Sequence, residues 1–327
     1  SNSIANFRTT QRRPPNSMAK VMRERSRSGA LSCIPPENLL IGVPKKGRLH
    51  EQCIKLLVDG AGLDYRRPER VDIAHCKDAP VSLIFLPAHD IATYVSEGNV
   101  DMGITGQDVM AETEPDCANL ETVVQLGFGR CKLAVQGPMS ENIKDVASLA
   151  GKRIVTSFPV IAEKFFRQYE TEATGKTKIK FVSGSVEAAC QLGLADGIVD
   201  LVETGTTMRA AGLEIVEKIM DTQAVLIKSK KALHPELIAT ITRRIQGHIT
   251  ATQYQMIQYN VKRENLERAI VITPGKRSPT ITGLDDNEWV AVSALVLRKE
   301  VQNIADKLEA VGADSILIFS IQNTRMY

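Results

Sequence analysis

Apolar and polar residues follow two different grammars along this chain. From residue 39 to about 230, short apolar runs recur, and most are followed by a glycine-bearing turn and a stretch with helical spacing. Leu39-Leu40-Ile41-Gly42-Val43 is the first such run. A run this short, bounded by turn residues, reads as a buried strand. A helix over 50–60 follows, closed by Gly60 or Gly62. Val81–Leu86 gives another strand, then a helix from Pro87 to Glu97 capped by Gly98, then a short strand from Val100 to Gly106. Residues 120–135 are strand-rich, 160–170 read as a helix with Phe165 and Phe166 inward, and Phe181-Val182-Ser183-Gly184 reads as a strand. A helix over 185–194 and a strand from Ile198 to Val202 complete the set. Strands alternating with helices, with glycines at the strand ends, predict an α/β fold on mainly parallel sheets.

Beyond Lys228 the texture changes. Ser229-Lys230-Lys231-Ala232-Leu233-His234-Pro235 is a polar linker. Residues 236–250 carry Leu237, Ile238, Ile241 and Ile245 at helical spacing. Then come a strand (253–261), a helix (263–269), two strands (278–282 and 289–297), a helix (299–311) and a strand (315–321). That β-α-β-β-α-β order is the ferredoxin-like module. Val301, Ile304, Leu308 and Val311 make a helix stripe that belongs in its core.

Composition changes this picture in one place. Residues 1–37 carry Arg8, Arg12, Arg13, Lys20, Arg23, Arg25 and Arg27 against Glu24 and Glu37, with no apolar periodicity. They read as a disordered basic tail, an organelle transit peptide or an expression remnant. Elsewhere the 327 residues, the net charge of +3 and the 24% charged content describe a soluble chain of two or three domains. The charge does not call for a nucleic-acid partner. The six cysteines form no C-x-x-C pair, and the five histidines show no ligand spacing. Reduced thiols in the cytoplasm are expected, and a zinc site is not. No apolar run reaches the roughly 18 residues of a membrane span.

The chemistry concentrates at predicted strand ends, where α/β folds bind ligands. The stretch D-G-I-V-D-L-V-E-T-G-T-T-M (196–208) sends an apolar strand carrying Asp200 and Glu203 into Thr204-Gly205-Thr206-Thr207. Gly205 lets backbone approach an oxyanion, and threonine hydroxyls with helix-start amides donate to it. The acidic pair suits ribose hydroxyls or a divalent cation. The same turn also fits a plain strand-to-helix turn with threonine as cap. Pro44-Lys45-Lys46-Gly47-Arg48-Leu49 repeats the grammar with cations, Arg48 able to hold a phosphate bidentately. Asp101, in D-M-G-I-T-G (101–106), is placed to accept from a sugar or an adenine amine, or from its own turn backbone.

Taken together, P-K-K-G-R-L (44–49), D-M-G-I-T-G (101–106), G-K-R-I-V-T-S-F (151–158), G-S-V-E (184–187), D-L-V-E-T-G-T-T-M (200–208) and P-G-K-R-S-P-T-I (274–281) resemble the ATP phosphoribosyltransferase family in its long, fungal-type form. The match is collinear from about 39 to 327. It implies a bilobal, periplasmic-binding-protein-like catalytic core with a C-terminal ferredoxin-like regulatory domain. Lobe I is expected at 38–128 and 207–230, lobe II at 129–206 and the regulatory domain at 231–327. The implied reaction joins ATP to 5-phosphoribosyl 1-pyrophosphate, with Mg²⁺ held mainly by substrate phosphates, as the first step of histidine biosynthesis. Histidine inhibition and a dimer or hexamer are implied with it, and neither a membrane nor a nucleic acid is an expected partner.

By family position, Glu187, Asp200, Glu203, Thr204, Gly205, Thr206 and Thr207 bind the sugar donor. Lys45, Gly47, Arg48, Asp101 and Gly103 bind ATP, and Lys45, Arg48 and Asp200 are catalytic. Thr280 and Leu295 stand near bound histidine, while Asn260 stands where some relatives have Asp. The acids Asp200 and Glu203 are three apart, unlike the adjacent pair before T-G-x-T in phosphoribosyltransferases of a different fold. The competing reading is a non-catalytic bilobal binding protein, which requires broken turns at 45–48 or 204–207.

Overall fold

The computed structural model describes residues 34–67, 71–113 and 119–325. The expectations for the basic tail fall almost wholly outside them.

The first lobe is built on β1 (Leu39–Pro44), β2 (Tyr65–Arg66), β3 (Ile73–Cys76), β4 (Val81–Leu86), β5 (Met102–Gly106) and β6 (Leu120–Gln125). Its helices are α1 (His50–Lys55), which runs on as a wider π-type turn over Leu56–Gly60, α2 (Ala88–Glu97) and α3 (Gln107–Glu112). β1 is apolar throughout because both its faces are covered. Leu39, Ile41 and Val43 pack with Leu57, Leu83 and Phe85, while Leu40 packs with Ile91, Val95 and Val225 on the other side. β1 lies parallel between β4 and β5, so their carboxyl ends open on one edge.

The second lobe holds β7 (Cys131–Pro138), β8 (Arg153–Thr156), α4 (Pro159–Phe166), β9 (Lys178–Phe181), α5 (Ala188–Gln191), β10 (Gly197–Val202), α6 (Thr206–Ala210) and β11 (Leu213–Thr222). Its sheet order is β11-β7-β10-β8-β9. Alternation along β10 sends Val199 to one core and Ile198 and Val202 to the other. The chain then returns as β12 (Ala224–Ser229), antiparallel to β5 and β6, and completes a first sheet ordered β2-β3-β4-β1-β5-β12-β6.

The third unit follows α7 (Pro235–Thr252): β13 (Tyr254–Lys262), α8 (Leu266–Ile272), β14 (Thr280–Gly283), β15 (Trp289–Leu297), α9 (Val301–Ala310) and β16 (Ala313–Ser320). Its antiparallel order, β14-β15-β13-β16, is that of the expected ferredoxin-like module.

The expected boundaries shift in two places. β11 falls within 207–230, yet it pairs along β7 and belongs to the second lobe, so the chain recrosses at Gln223. α7 falls within 231–327, yet Ile238, Ile241 and Ile245 bury into the first lobe's core. Smaller differences trace to glycines. Gly127 and Gly129, at φ +78 and +64, split the strand-rich 120–135 region into β6 and β7 of different sheets. Gly184, Ser185 and Gly193 have positive φ and cut the helix predicted over 185–194 down to α5.

Candidate active site

The cleft forms where the carboxyl ends of β1, β4 and β5 meet those of β8 and β10. A cavity of about 140 Å³ lies there, lined by Gly47, Arg48, Leu49, His89 and Val109 from one lobe and Phe158 and Leu201 from the other. A neighbouring cavity of about 360 Å³ is lined by Gln107, Arg130, Lys132, Glu203, Asp221 and Thr222. Arg130 and Lys132 therefore add cations to this region beyond the residues the sequence singled out.

The β1 turn is pinned before it reaches the cleft. Lys45 N donates to Leu86 O at 2.7 Å, and the His50 ring meets Pro44 O at 2.6 Å through Nδ1. Gly47, at φ +91, takes a backbone that other residues rarely adopt. Arg48 then crosses the cleft, with Nη1 3.1 Å from Glu203 Oε2 and Nη2 2.9 Å from Cys131 Sγ. Burial raises the pKa of the Cys131 thiol more than Arg48 lowers it, so the thiol stays protonated at neutral pH. Glu203 is then the anion that balances Arg48.

Lys45 points elsewhere, its Nζ 2.8 Å from Asp72. Arg67 completes that group, bonded to Val71 O at 2.8 Å and seated 3.8 Å above the Phe85 ring. Arg67 lies on a loop without apolar periodicity, and only its charge marks it in the sequence.

On the second lobe, β10 ends in the threonine bend. Gly205 has φ +72, and Thr204, Thr206 and Thr207 are exposed. Thr204 and Thr206 share a hydroxyl contact of 3.0 Å, and Arg209 Nη2 donates to Thr204 O at 3.0 Å. An added Cβ at Gly205 would stand 2.8 Å from Arg209 Nη1.

Asp200, half-buried on β10, accepts from Leu201 N at 2.8 Å. Its pKa is pushed up to about 6. Burial is the largest cause and Glu187 repulsion adds to it, while the Leu201 amide and Arg48 oppose it. Asp200 and Glu187 thus share one electrostatic site. The structure brings Arg48, Asp200, Glu187 and Glu203 to this edge of the second lobe, next to the bend.

Two expected ATP contacts need correction. Asp101 is 1% exposed at the amino end of β5, opposite the cleft, and its Oδ2 accepts from Leu40 N at 2.9 Å. It clips β5 to β1. Gly103 is equally internal: an added Cβ would meet Ile91 Cγ2 at 2.5 Å. Its lack of a side chain seats α2 against the sheet and makes no room for a ligand. In the third unit, Thr280 pairs with Ser293, two residues before Leu295. Thr280 and Leu295 therefore share the sheet face that alternates with the helix-covered one carrying Val290, Val292, Ala294 and Val296.

The chain is similar to known proteins over nearly all of this architecture. Residues 87–247 match the family model described as ATP phosphoribosyltransferase, and residues 251–323 match that described as HisG, C-terminal domain. An ATP phosphoribosyltransferase from Schizosaccharomyces pombe is 49% identical over 88% of this chain and 97% of its own length. One from Saccharomyces cerevisiae is 46% identical over 89% and 97%. A solved ATP phosphoribosyl transferase (HisG:HisZ) complex from Thermotoga maritima superposes with a TM-score of 0.55 at 26% identity, covering 65% of this chain and 98% of that one.

Proposed function

We propose, from the premise that this chain belongs to the ATP phosphoribosyltransferase family, that its cleft joins N1 of the ATP adenine to C1 of 5-phosphoribosyl 1-pyrophosphate and releases pyrophosphate. The observation that carries this reading is Arg48 reaching across the cleft to Glu203, the residue between β10 and the threonine bend.

N1 already holds a lone pair, so no strong base is required. The barrier lies in parting pyrophosphate from a sugar carbon that turns cation-like. Fixed positive charge on the leaving group and firm placement of both partners lower it. In this reading Thr204, Thr206 and Thr207 hold the sugar's 5-phosphate, and Gly205 lets the backbone close on it. Asp200 and Glu187 accept from the ribose hydroxyls. Arg48, released from Glu203, holds the pyrophosphate; Lys45, on the same turn, would have to leave Asp72 to join it. The adenine takes the cavity walled by Leu49, Phe158 and Leu201.

Mg²⁺ fits this donor set as a partly hydrated ion. Among the described residues no group of three or more His, Cys, Asp or Glu is placed to hold a metal. Mg²⁺ commonly keeps its waters and takes one or two carboxylates plus substrate phosphates. Asp200 and Glu187, which repel one another, supply that carboxylate charge, and the ion would neutralise the departing pyrophosphate.

The family's histidine response, its assembly into dimers or hexamers and a cytoplasmic setting belong to the same proposal. The ferredoxin-like unit and its Thr280–Leu295 face are where histidine would act. Mixing purified protein with ATP, 5-phosphoribosyl 1-pyrophosphate and Mg²⁺ should release pyrophosphate, and added histidine should slow it. Absence of turnover by clean, folded protein would overturn the assignment.

A further inference from the structure

We infer that Glu112 is a positioning residue: its carboxylate, carried by the first lobe, latches the second lobe shut by gripping the start of α4. Oε1 accepts from Val160 N at 2.8 Å and Oε2 from Ile161 N at 3.0 Å. First-turn amides of a helix have no partner within it, and a carboxylate satisfies both their hydrogen bonds and the helix dipole. Here that partner comes from the other lobe. Burial raises the Glu112 pKa, and the two amides pull it back.

Both ends of this strut are fixed. At its base, Asp108 N donates to Thr222 Oγ1 at 3.1 Å, Thr222 Oγ1 donates to Asp108 Oδ1 at 2.6 Å, and Gln107 N donates to Gln223 O at 3.1 Å. The start of α3 is therefore anchored at the point where the chain recrosses between lobes. At its tip, the turn that Glu112 grips is tied into the second sheet. Phe158 N donates to Thr156 Oγ1 at 2.9 Å, Thr156 Oγ1 donates to Val199 O at 2.7 Å, and Ser157 Oγ donates to Val182 O at 2.8 Å. Val199 immediately precedes Asp200 on β10. The His89 and Phe158 rings, 5.7 Å apart, close the same face of the cleft. Pulling on α4 thus moves the strand that carries Asp200 and the threonine bend.

Such a latch has a distinct kinetic signature. If substrates need the closed form, losing the latch lowers the closed fraction, and apparent affinity falls by that fraction. Saturating substrate then restores closure. Damage to the fold would instead leave fewer working molecules, lowering kcat at unchanged KM.

The kinetic arm rests on the transferase reading; the structural arm does not. In the full chain, Glu112→Ala should raise KM for both substrates about tenfold, with kcat within about threefold of wild type. Glu112→Gln, which keeps one acceptor oxygen and the same shape, should fall between. Hydrogen exchange over residues 157–163 should quicken in Glu112→Ala, and small-angle scattering should show a larger radius of gyration. Unchanged exchange and scattering would overturn the latch, as would a loss of kcat at constant KM. If wild-type protein turned over no substrate, the transferase reading would fail while exchange and scattering still decided the latch.

Discussion

Arg48 leaves the first lobe and sets its Nη1 3.1 Å from Glu203 Oε2 of the second, at side-chain exposures of 38% and 53%. A pair this exposed stabilises the fold by about 0–1 kcal/mol. In the proposed reaction its value is in placement: it parks a guanidinium at the mouth of the cleft that a stronger anion can claim cheaply. Arg48→Ala should lower kcat about 100-fold, the scale for losing one preorganised donor to developing charge. Arg48→Lys should recover only part, since an ammonium lacks the planar fork. Glu203→Gln should leave Tm within about 3 °C of wild type, because it removes only that weak pair. A Glu203→Gln protein with sharply lowered Tm would show that the pair is structural.

Asp200 should make the proposed reaction pH-dependent. Its pKa is pushed up to about 6, so the carboxylate proposed to accept from the ribose hydroxyls forms as pH rises through that value. The pH profile of kcat/KM should carry an acidic limb near 6. Glu187→Gln removes a like charge and should move the limb to lower pH, while Asp200→Asn should abolish it along with most activity. The stability effect has the opposite sense. Between the ordinary aspartate value and 6 the folded chain holds a proton that the unfolded chain has lost. Stability therefore falls as pH rises through that window, and Asp200→Asn should flatten the slope. Chemical denaturation at pH 4 and pH 7 measures it.

Asp101 separates structure from catalysis. The residue is 1% exposed, and its carboxylate accepts from Leu40 N at 2.9 Å, on the edge of the sheet away from the cleft. Asp101→Ala should destabilise the protein by about 1.5–3 kcal/mol, the range for hydrogen bonds to charged groups. KM for either substrate, measured on the folded fraction below Tm, should stay as in wild type. A raised KM for ATP with unchanged Tm would restore Asp101 to the nucleotide site.

These residues also show which layer of the molecule was legible in the sequence. Leu39–Val43, Val81–Leu86 and Trp289–Leu297 declare themselves because local burial writes a local pattern. β11 does not, since its faces alternate irregularly and two register shifts along β7 interrupt its period. Gly103 and Asp101 carry a motif that fits a ligand as readily as a packing joint. Only the nearness of Ile91 and Leu40, distant in sequence, decides between them. The threonine bend was readable from its residues. Glu112 gripping α4 was not, because residues 48 and 49 positions apart meet only after two sheets have formed.

The bend itself offers the sharpest test of the proposed sugar-donor site. Gly205 holds φ +72, a conformation that costs a non-glycine residue on the order of 1–2 kcal/mol. A new Cβ there would meet Arg209 Nη1 at 2.8 Å and Met208 Cε at 3.4 Å. Both are ends of flexible side chains and can move aside, so the backbone strain dominates. Gly205→Ala should therefore fold, with Tm lower by a few degrees. The bend can relieve that strain by rotating its amides away from the position a phosphate would fill, which should raise KM for 5-phosphoribosyl 1-pyrophosphate and leave KM for ATP nearly unchanged. Thr204→Val keeps the shape and deletes a hydroxyl, so it should raise the same KM without the loss of Tm. Equal rises for both substrates in the two variants would mean that the bend shapes the whole cleft and does not grip one phosphate.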